Sequence, residues 1–166
     1  MRKATLALAA AAATLAGAIS APALAAADVR VDISPKLQAK AESKYGVRDV
    51  NRLAQKLERS VQRELDRTGA YDGARLELTL VDVTPNRPTF KQMVDRPGLS
   101  FQSFSVGGAR IEGRAIGRDG AVTPLSYAWQ DSDIRYARQA STWTDAEWTI
   151  ERFAYGLGRG RVLSSR

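Results

Sequence analysis

The residues best suited to chemistry lie together near the C-terminus, in the stretch STWTDAEWTIERFAYGLG. Two of its acids, Asp145 and Glu147, lie among hydroxyl and tryptophan side chains, so the stretch is a candidate carboxylate site. The same spacing also fits the start of a helix. Thr144 and Glu147 have the spacing of a capping box, and Trp143 and Trp148 have that of a hydrophobic staple. We therefore predict a helix boundary here and keep the carboxylate site as the alternative.

Four aspartates are candidates for a hydrolase that holds two carboxylates across a cleft: Asp82, Asp131, Asp133 and Asp145. The pair Asp131 and Asp133 also suggests a calcium loop. However, Arg135 occupies the next ligand position, and no later glutamate completes an EF-hand. We predict a turn there, held by Asx-type bonds. The sequence thus assigns no catalytic residue and no metal ligand.

The composition excludes several chemistries. The chain has no histidine and no cysteine, which removes imidazole bases, thiolate nucleophiles, disulfides and the usual zinc ligands. Neither a Ser-x-x-Lys motif nor a Gly-x-Ser-x-Gly motif occurs. Any catalysis would use carboxylates, lysine, tyrosine or hydroxyl groups, and we expect no cofactor.

Basic residues outnumber acidic ones by 25 to 18, and they form two candidate anion-binding surfaces. Helical spacing over residues 49–68 places five of them on one outward face, here called the basic ridge: Arg52, Lys56, Arg59, Arg63 and Arg67. The second set lies in a proline-rich loop over residues 84–104: Arg87, Lys91 and Arg96. Candidate partners are an anionic lipid, lipopolysaccharide or an envelope protein. A solvated helix face is the alternative for the ridge.

The basic ridge has no interleaved aromatic side chains, which a single-strand nucleic-acid platform would need. We therefore expect no nucleic-acid partner. The N-terminal sequence also argues against a nucleic-acid partner, because it predicts export from the cytoplasm.

That N-terminal sequence has the pattern of a cleaved signal peptide. A basic start, MRK, precedes an alanine-rich apolar run and a small-x-small site at residues 23–25. We place cleavage after Ala25, with Ala27 as the alternative, so that residues 26–166 form a single domain. No cysteine follows the apolar run. We expect a periplasmic or secreted protein that is not a lipoprotein and has no transmembrane segment in the mature chain.

Hydrophobic periodicity predicts the elements that must position these groups. Alternating residues predict strands at 28–33, 75–83, 106–117 and 122–129, and helical spacing predicts helices at 35–44, 49–68 and from 144 onwards. In the last helix, we expect Trp148, Phe153 and Leu157 to face the core. No helical period is found between residues 84 and 103, so a long loop is predicted there.

The order of elements predicts the fold. Asp119-Gly120 is typical of a hairpin turn, and Pro124 favours an edge position for the last strand. The first strand and its helical crossover predict a parallel pair, while the last three strands predict an antiparallel meander. We therefore predict an α+β fold: a two-layer sandwich with a mainly antiparallel four-stranded sheet and two main helices on one face.

Two segments, GGARIEGRAIGRDG at 107–120 and TWTDAEWTIERFAYGL at 142–157, resemble small signal-peptide-bearing periplasmic proteins of unknown function from Gram-negative bacteria. In those proteins, a Gly-Gly-Ala strand precedes a hairpin, and a closing helix begins with Thr-Trp-Ser/Thr-Asp-Ala. The resemblance is confined to the last 60 residues. It implies a periplasmic α+β domain, in some cases associated with the envelope, and implies no catalytic residues.

These observations favour a non-enzymatic binding or envelope-maintenance protein. Its candidate surfaces are the basic ridge and the proline-rich loop. The alternative is a carboxylate-dependent hydrolase that acts on cell-wall polymer. A third hypothesis is a structural subunit, in which the sheet edge at 122–129 pairs with another chain.

Overall fold

The computed structural model of the chain describes residues 26–161. The predicted signal peptide, residues 1–25, lies outside the described residues. Within the described part, no helix combines the length and the apolar character needed to cross a bilayer.

One four-stranded sheet forms the first layer of the domain. Its strands are β1 (Asp28–Ile33), β2 (Arg75–Thr84), β3 (Gly108–Ile116) and β4 (Val122–Gln130), and they lie side by side in that order. Strand β1 is parallel to β2, and strands β2, β3 and β4 form an antiparallel meander. The predicted α+β class and the mainly antiparallel sheet are confirmed.

The hairpin between β3 and β4 is also as predicted. Gly120 has a φ of +78° and donates its N–H to the carbonyl of Gly117 at 3.0 Å. A residue with a side chain is strained at this φ, which explains the glycine. Pro124 lies in β4 at the edge of the sheet, where one side of the strand needs no hydrogen-bond donor.

The part of the chain that the structure describes contains five α-helices, which match the predicted helices in part. They are α1 (Pro35–Lys40), α2 (Val47–Thr68), α3 (Phe90–Asp95), α4 (Ile134–Ala137) and α5 (Thr144–Gly158), and a π-helical turn at Ala41–Tyr45 leads from α1 towards α2. Ser34 caps α1 by accepting the N–H of Leu37 at 3.2 Å. Gly69 ends α2 in the left-handed conformation.

The hydrophobic core lies between the sheet and the two long helices, α2 and α5, which also pack against each other. Its fully buried side chains come from both layers and include Leu53, Leu57, Leu78, Ile111, Ile150 and Phe153. The opposite face of the sheet is polar. There Arg114 pairs with Glu77 at 2.6 Å, and Arg110 pairs with Glu112 at 2.5 Å. The helices therefore cover one face only, as the alternation in the strands predicts.

The start of α5 differs from the prediction. The residue at the N-cap is Trp143, and its own side chain makes no capping hydrogen bond. The hydroxyl of Thr144 accepts the N–H of Ser141 at 2.8 Å, and Glu147 points to Lys56, with 3.8 Å between carboxylate and ammonium. The predicted capping box is wrong because both of its side chains bond elsewhere.

The predicted hydrophobic staple is wrong as well. Trp143 is 2 % exposed and lies edge-on to Tyr45 at 5.8 Å, whereas Trp148 is 54 % exposed. A staple joins N′ to N4, but the helix begins one residue earlier than predicted, so that Trp143 is the N-cap and Trp148 is at N5. Trp148 therefore faces water, contrary to the prediction. Phe153 and Leu157 are fully buried, as predicted.

Candidate functional site

The basic ridge on α2 is partly neutralised by neighbouring acids. Arg52 pairs with Asp49 at 3.3 Å, and Lys56 pairs with Glu151 of α5 at 3.0 Å. The first pair lies within α2, where its two residues are three apart, whereas the second forms because α5 packs beside α2. No local pattern predicted this contact, since Lys56 and Glu151 are far apart along the chain.

At the C-terminal end of the ridge, Arg67 pairs with Glu64 at 2.6 Å, and this hydrogen bond lowers the pKa of the Glu64 carboxyl. Arg59 and Arg63 differ from the rest of the ridge. Both are exposed, and no carboxylate within residues 26–161 forms an ion pair with either guanidinium. The unpaired part of the ridge is therefore two arginines, one helical turn apart.

The proline-rich loop contains a helix, α3, that the predicted long loop lacked. Thr89 caps this helix by accepting the N–H of Gln92 at 3.2 Å, and the Gln92 side chain accepts the N–H of Thr89 at 3.1 Å. This reciprocal pair is a capping box. Its signal was present in the sequence as T-x-x-Q, but a six-residue helix is too short to show a hydrophobic period.

Arg87 fastens this segment to the loop that contains α4. Its guanidinium donates to three backbone carbonyls: that of Ala140 at 2.6 Å, that of Arg138 at 2.5 Å and that of Phe101. Each of its three guanidinium nitrogens thus donates one bond within the protein, and its positive charge remains. Residues 85–105 are called the α3 lobe below.

A pocket of about 260 Å³ opens in the α3 lobe. Three cationic residues line it, namely Lys44, Arg87 and Arg96, and its apolar lining includes Leu99 and Phe104. No carboxylate belongs to this lining. Lys91, the remaining predicted residue, pairs with Asp95 at 2.8 Å instead.

The α3 lobe also exposes apolar side chains. Phe90 is 75 % exposed, Phe101 58 % and Phe104 40 %, and Val94 is exposed as well. The chain has four phenylalanines, so three of the four lie on the surface within 15 residues of one another. Single exposed apolar residues are ordinary, whereas large exposed apolar patches are typical of interaction surfaces.

The candidate aspartates are engaged at separate places. Asp82 accepts two bonds from the ammonium of Lys40, at 2.7 and 2.8 Å. Asp131 and Asp133 form the predicted Asx-type turn: Asp131 accepts the N–H of Asp133 at 2.9 Å, and Asp133 accepts that of Arg135 at 3.0 Å. The Arg135 side chain lowers the pKa of Asp133. Residues 26–161 hold no cluster of three side chains that could bind a metal ion.

Asp145, the fourth aspartate, is buried at the start of α5. Its carboxylate accepts the side-chain N–H of Asn86 at 2.5 Å and the backbone N–H of Gly107 at 2.8 Å. In return, Asn86 accepts the backbone N–H of Asp145 at 2.9 Å. This network joins both ends of the α3 lobe to α5. Sequence reasoning missed Asn86, because no local pattern relates it to a residue 59 positions away.

We expect Arg87→Ala to loosen the α3 lobe. The change removes three charge-assisted hydrogen bonds, and each such bond is worth about a tenfold change in a local opening equilibrium or more. The N–H groups of Ser103 and Ser105, which are bonded to Ser100 and Asn86, should then exchange at least about tenfold faster with deuterium. Peptide-level mass spectrometry measures this. Arg96→Ala is the control and should leave the exchange unchanged; equal exchange in both variants would contradict the role of Arg87.

Comparison with known proteins adds no family to this description. No protein-family model matches the chain, and no curated protein matches it. The fold defines the class, an α+β two-layer sandwich, and the function is argued from the surfaces just described.

Proposed function

We propose that this chain is a periplasmic or secreted, non-enzymatic binding protein that associates with anionic components of the cell envelope. The signal-peptide pattern supports the compartment. The observation that carries the binding function is a contrast between two kinds of side chain. The candidate aspartates are held by lysine, arginine, amide or backbone groups. In contrast, Arg59, Arg63 and Arg96 are exposed and pair with no carboxylate in the part of the chain that the structure describes.

The hydrolase alternative would need two carboxylates at one cleft. A depression of about 300 Å³ lies beside Asp82, but Asp82 is the one carboxylate in its lining. The ammonium of Lys40 already neutralises it. The geometry therefore favours binding of an anion over general acid–base work on a polymer.

We expect the purified protein to sediment with phosphatidylglycerol vesicles or lipopolysaccharide at low salt and to be released at high salt. Attraction between exposed charges weakens as the Debye length falls from about 10 Å at 0.1 M to about 3 Å at 1 M ionic strength. Phosphatidylcholine vesicles are the neutral control. The proposal fails if the protein stays in the supernatant with both anionic probes at low salt.

A further inference from the structure

We infer that the α3 lobe docks on the surface of an anionic phospholipid bilayer, with its phenylalanines in the interfacial layer and a headgroup phosphate in its cationic pocket. This inference rests on the proposed function, and it adds the ligand and the surface that binds it. It also gives the two basic regions different roles in binding. The α3 lobe makes the specific contact, and the basic ridge contributes general attraction.

The first observation is that cationic and apolar side chains surround a single opening. Arg96 and Lys44 line the pocket together with Leu99 and Phe104. A ligand that satisfies both kinds of group must carry an anion next to hydrocarbon. A phospholipid has this arrangement, with its phosphate joined to the acyl chains through a short glycerol segment.

The second observation is the charge around the pocket. Lys44 and Arg96 are exposed and pair with no carboxylate within residues 26–161, and Arg87 adds a third positive charge to the lining. Asp95 lines an adjoining depression, where Lys91 holds it at 2.8 Å. Ammonium and guanidinium groups bind phosphate oxygens through charge-assisted hydrogen bonds. The pocket is thus complementary to a phosphate rather than to a neutral headgroup.

The third observation is that the apolar groups are presented outward. Phe90 and Val94 are four residues apart in α3, so they share one face of the helix. Phe101 is exposed in the following turn. A six-residue helix cannot span a bilayer, but amphipathic segments with aromatic and basic residues lie in the headgroup layer.

The lobe is also held in place before any ligand binds. Arg87 fastens it to the loop that contains α4, and the Asn86–Asp145 network holds both of its ends. Binding therefore orders few additional groups, and the loss of conformational entropy subtracts less from the free energy of binding. A protein partner would instead favour a centre poor in charge, whereas here three cations lie at the opening.

The test compares two pairs of variants in sedimentation with phosphatidylglycerol vesicles. Lys44→Gln/Arg96→Gln and Arg59→Gln/Arg63→Gln each remove two positive charges. The first pair, here called the lobe variant, changes the lining of the lobe's pocket, and the second, the ridge variant, changes the ridge. We expect the lobe variant to bind at least about tenfold more weakly and the ridge variant less than about threefold. Phe101→Ser/Phe104→Ser should also weaken vesicle binding about tenfold. Val122→Ser/Tyr155→Ser changes exposed apolar residues elsewhere and should bind as the parent does.

A Phe101→Trp variant gives a second measurement that does not depend on a loss of binding. Its added fluorescence should shift to the blue on phosphatidylglycerol vesicles and should be quenched by brominated acyl chains, more strongly than the fluorescence of the parent. Circular dichroism confirms that each variant is folded.

The outcomes separate this inference from the proposed function. If the parent protein binds phosphatidylglycerol and only the ridge variant loses binding, the inference is wrong and the proposed function stands. The same holds if lipopolysaccharide binds and phosphatidylglycerol does not. If neither probe binds at low salt, both are wrong.

Discussion

Trp143→Ala is expected to lower the free energy of unfolding by about 3–5 kcal/mol, the range for removing a buried large aromatic side chain. Trp148→Ala, five residues further on, is expected to change it by less than about 1 kcal/mol. Trp143 is 2 % exposed and packs edge-on against Tyr45, whereas Trp148 is 54 % exposed on the outer side of α5. The two substitutions remove the same atoms, so the difference isolates burial.

Urea unfolding followed by far-ultraviolet circular dichroism measures both values without relying on tryptophan fluorescence. In a hydrophobic staple the two tryptophans would pack against each other, and both substitutions would then lower the free energy of unfolding by similar amounts. Similar costs would therefore contradict the packing described here. Because domains of this size are stabilised by only about 5–15 kcal/mol, Trp143→Ala should also reduce the yield of folded protein.

Trp143→Phe provides a finer test. The indole Nε1 of Trp143 is buried and has no hydrogen-bond partner among the residues that the structure describes. Phenylalanine removes this unsatisfied donor while it keeps most of the apolar contact. We expect Trp143→Phe to lower the free energy of unfolding clearly less than Trp143→Ala does.

The sheet was predictable because its two faces meet different surroundings. Residues such as Leu78 and Ile111 face the core and alternate with Glu77 and Arg110, which face water. The sequence therefore shows the two-residue period of a strand. Helix α2 was predictable for the same reason. Its apolar stripe packs on the sheet, and Gly69 ends it. Local chemistry also determined the hairpin at Gly120.

The surfaces were less predictable, because their properties depend on contacts between distant elements. Five basic residues at helical spacing predicted a continuous ridge, but the approach of α5 places Glu151 against Lys56. In the α3 lobe, Arg87 has the same residue type as Arg96, yet its donors are engaged by the carbonyls of the neighbouring loop. Residue type and spacing give the sign of a charge, while the fold decides whether it is available to a ligand.

The start of α5 illustrates a different limit. Thr144 and Glu147 have the spacing of a capping box, but in the structure their side chains interact with other residues. Asp145 turns inward to accept bonds from Asn86 and Gly107, while Thr144 bonds back to Ser141. A tertiary acceptor, the Asn86 side chain, satisfies an N–H of the first helical turn in place of a local cap. The pattern placed the N-cap within one residue of its position in the structure but did not predict the interactions of the first turn.

Asn86→Ala is expected to lower the free energy of unfolding by about 2–4 kcal/mol, since it leaves one buried donor without a partner and removes a hydrogen bond from a buried carboxylate. The Asp145 carboxylate loses one of its two donors, and the backbone N–H of Asp145 loses its acceptor. The change also releases one anchor of the α3 lobe. Asn51→Ala, at an exposed position of α2, is the control and should stay within about 0.5 kcal/mol.

A double-mutant cycle with Asp145→Ala tests whether Asn86 and Asp145 act as one unit. Once Asp145 is gone, its carboxylate can no longer be left unsatisfied, so Asn86→Ala should then cost less by about 1–3 kcal/mol. Costs that simply add would show that the two residues contribute independently and would contradict the network. A positive coupling would mean that the pair holds the lobe to α5 across 59 residues of sequence. Weaker vesicle binding by Asn86→Ala, at pH and salt where it remains folded, would then follow from loss of the preorganised lobe rather than from loss of charge.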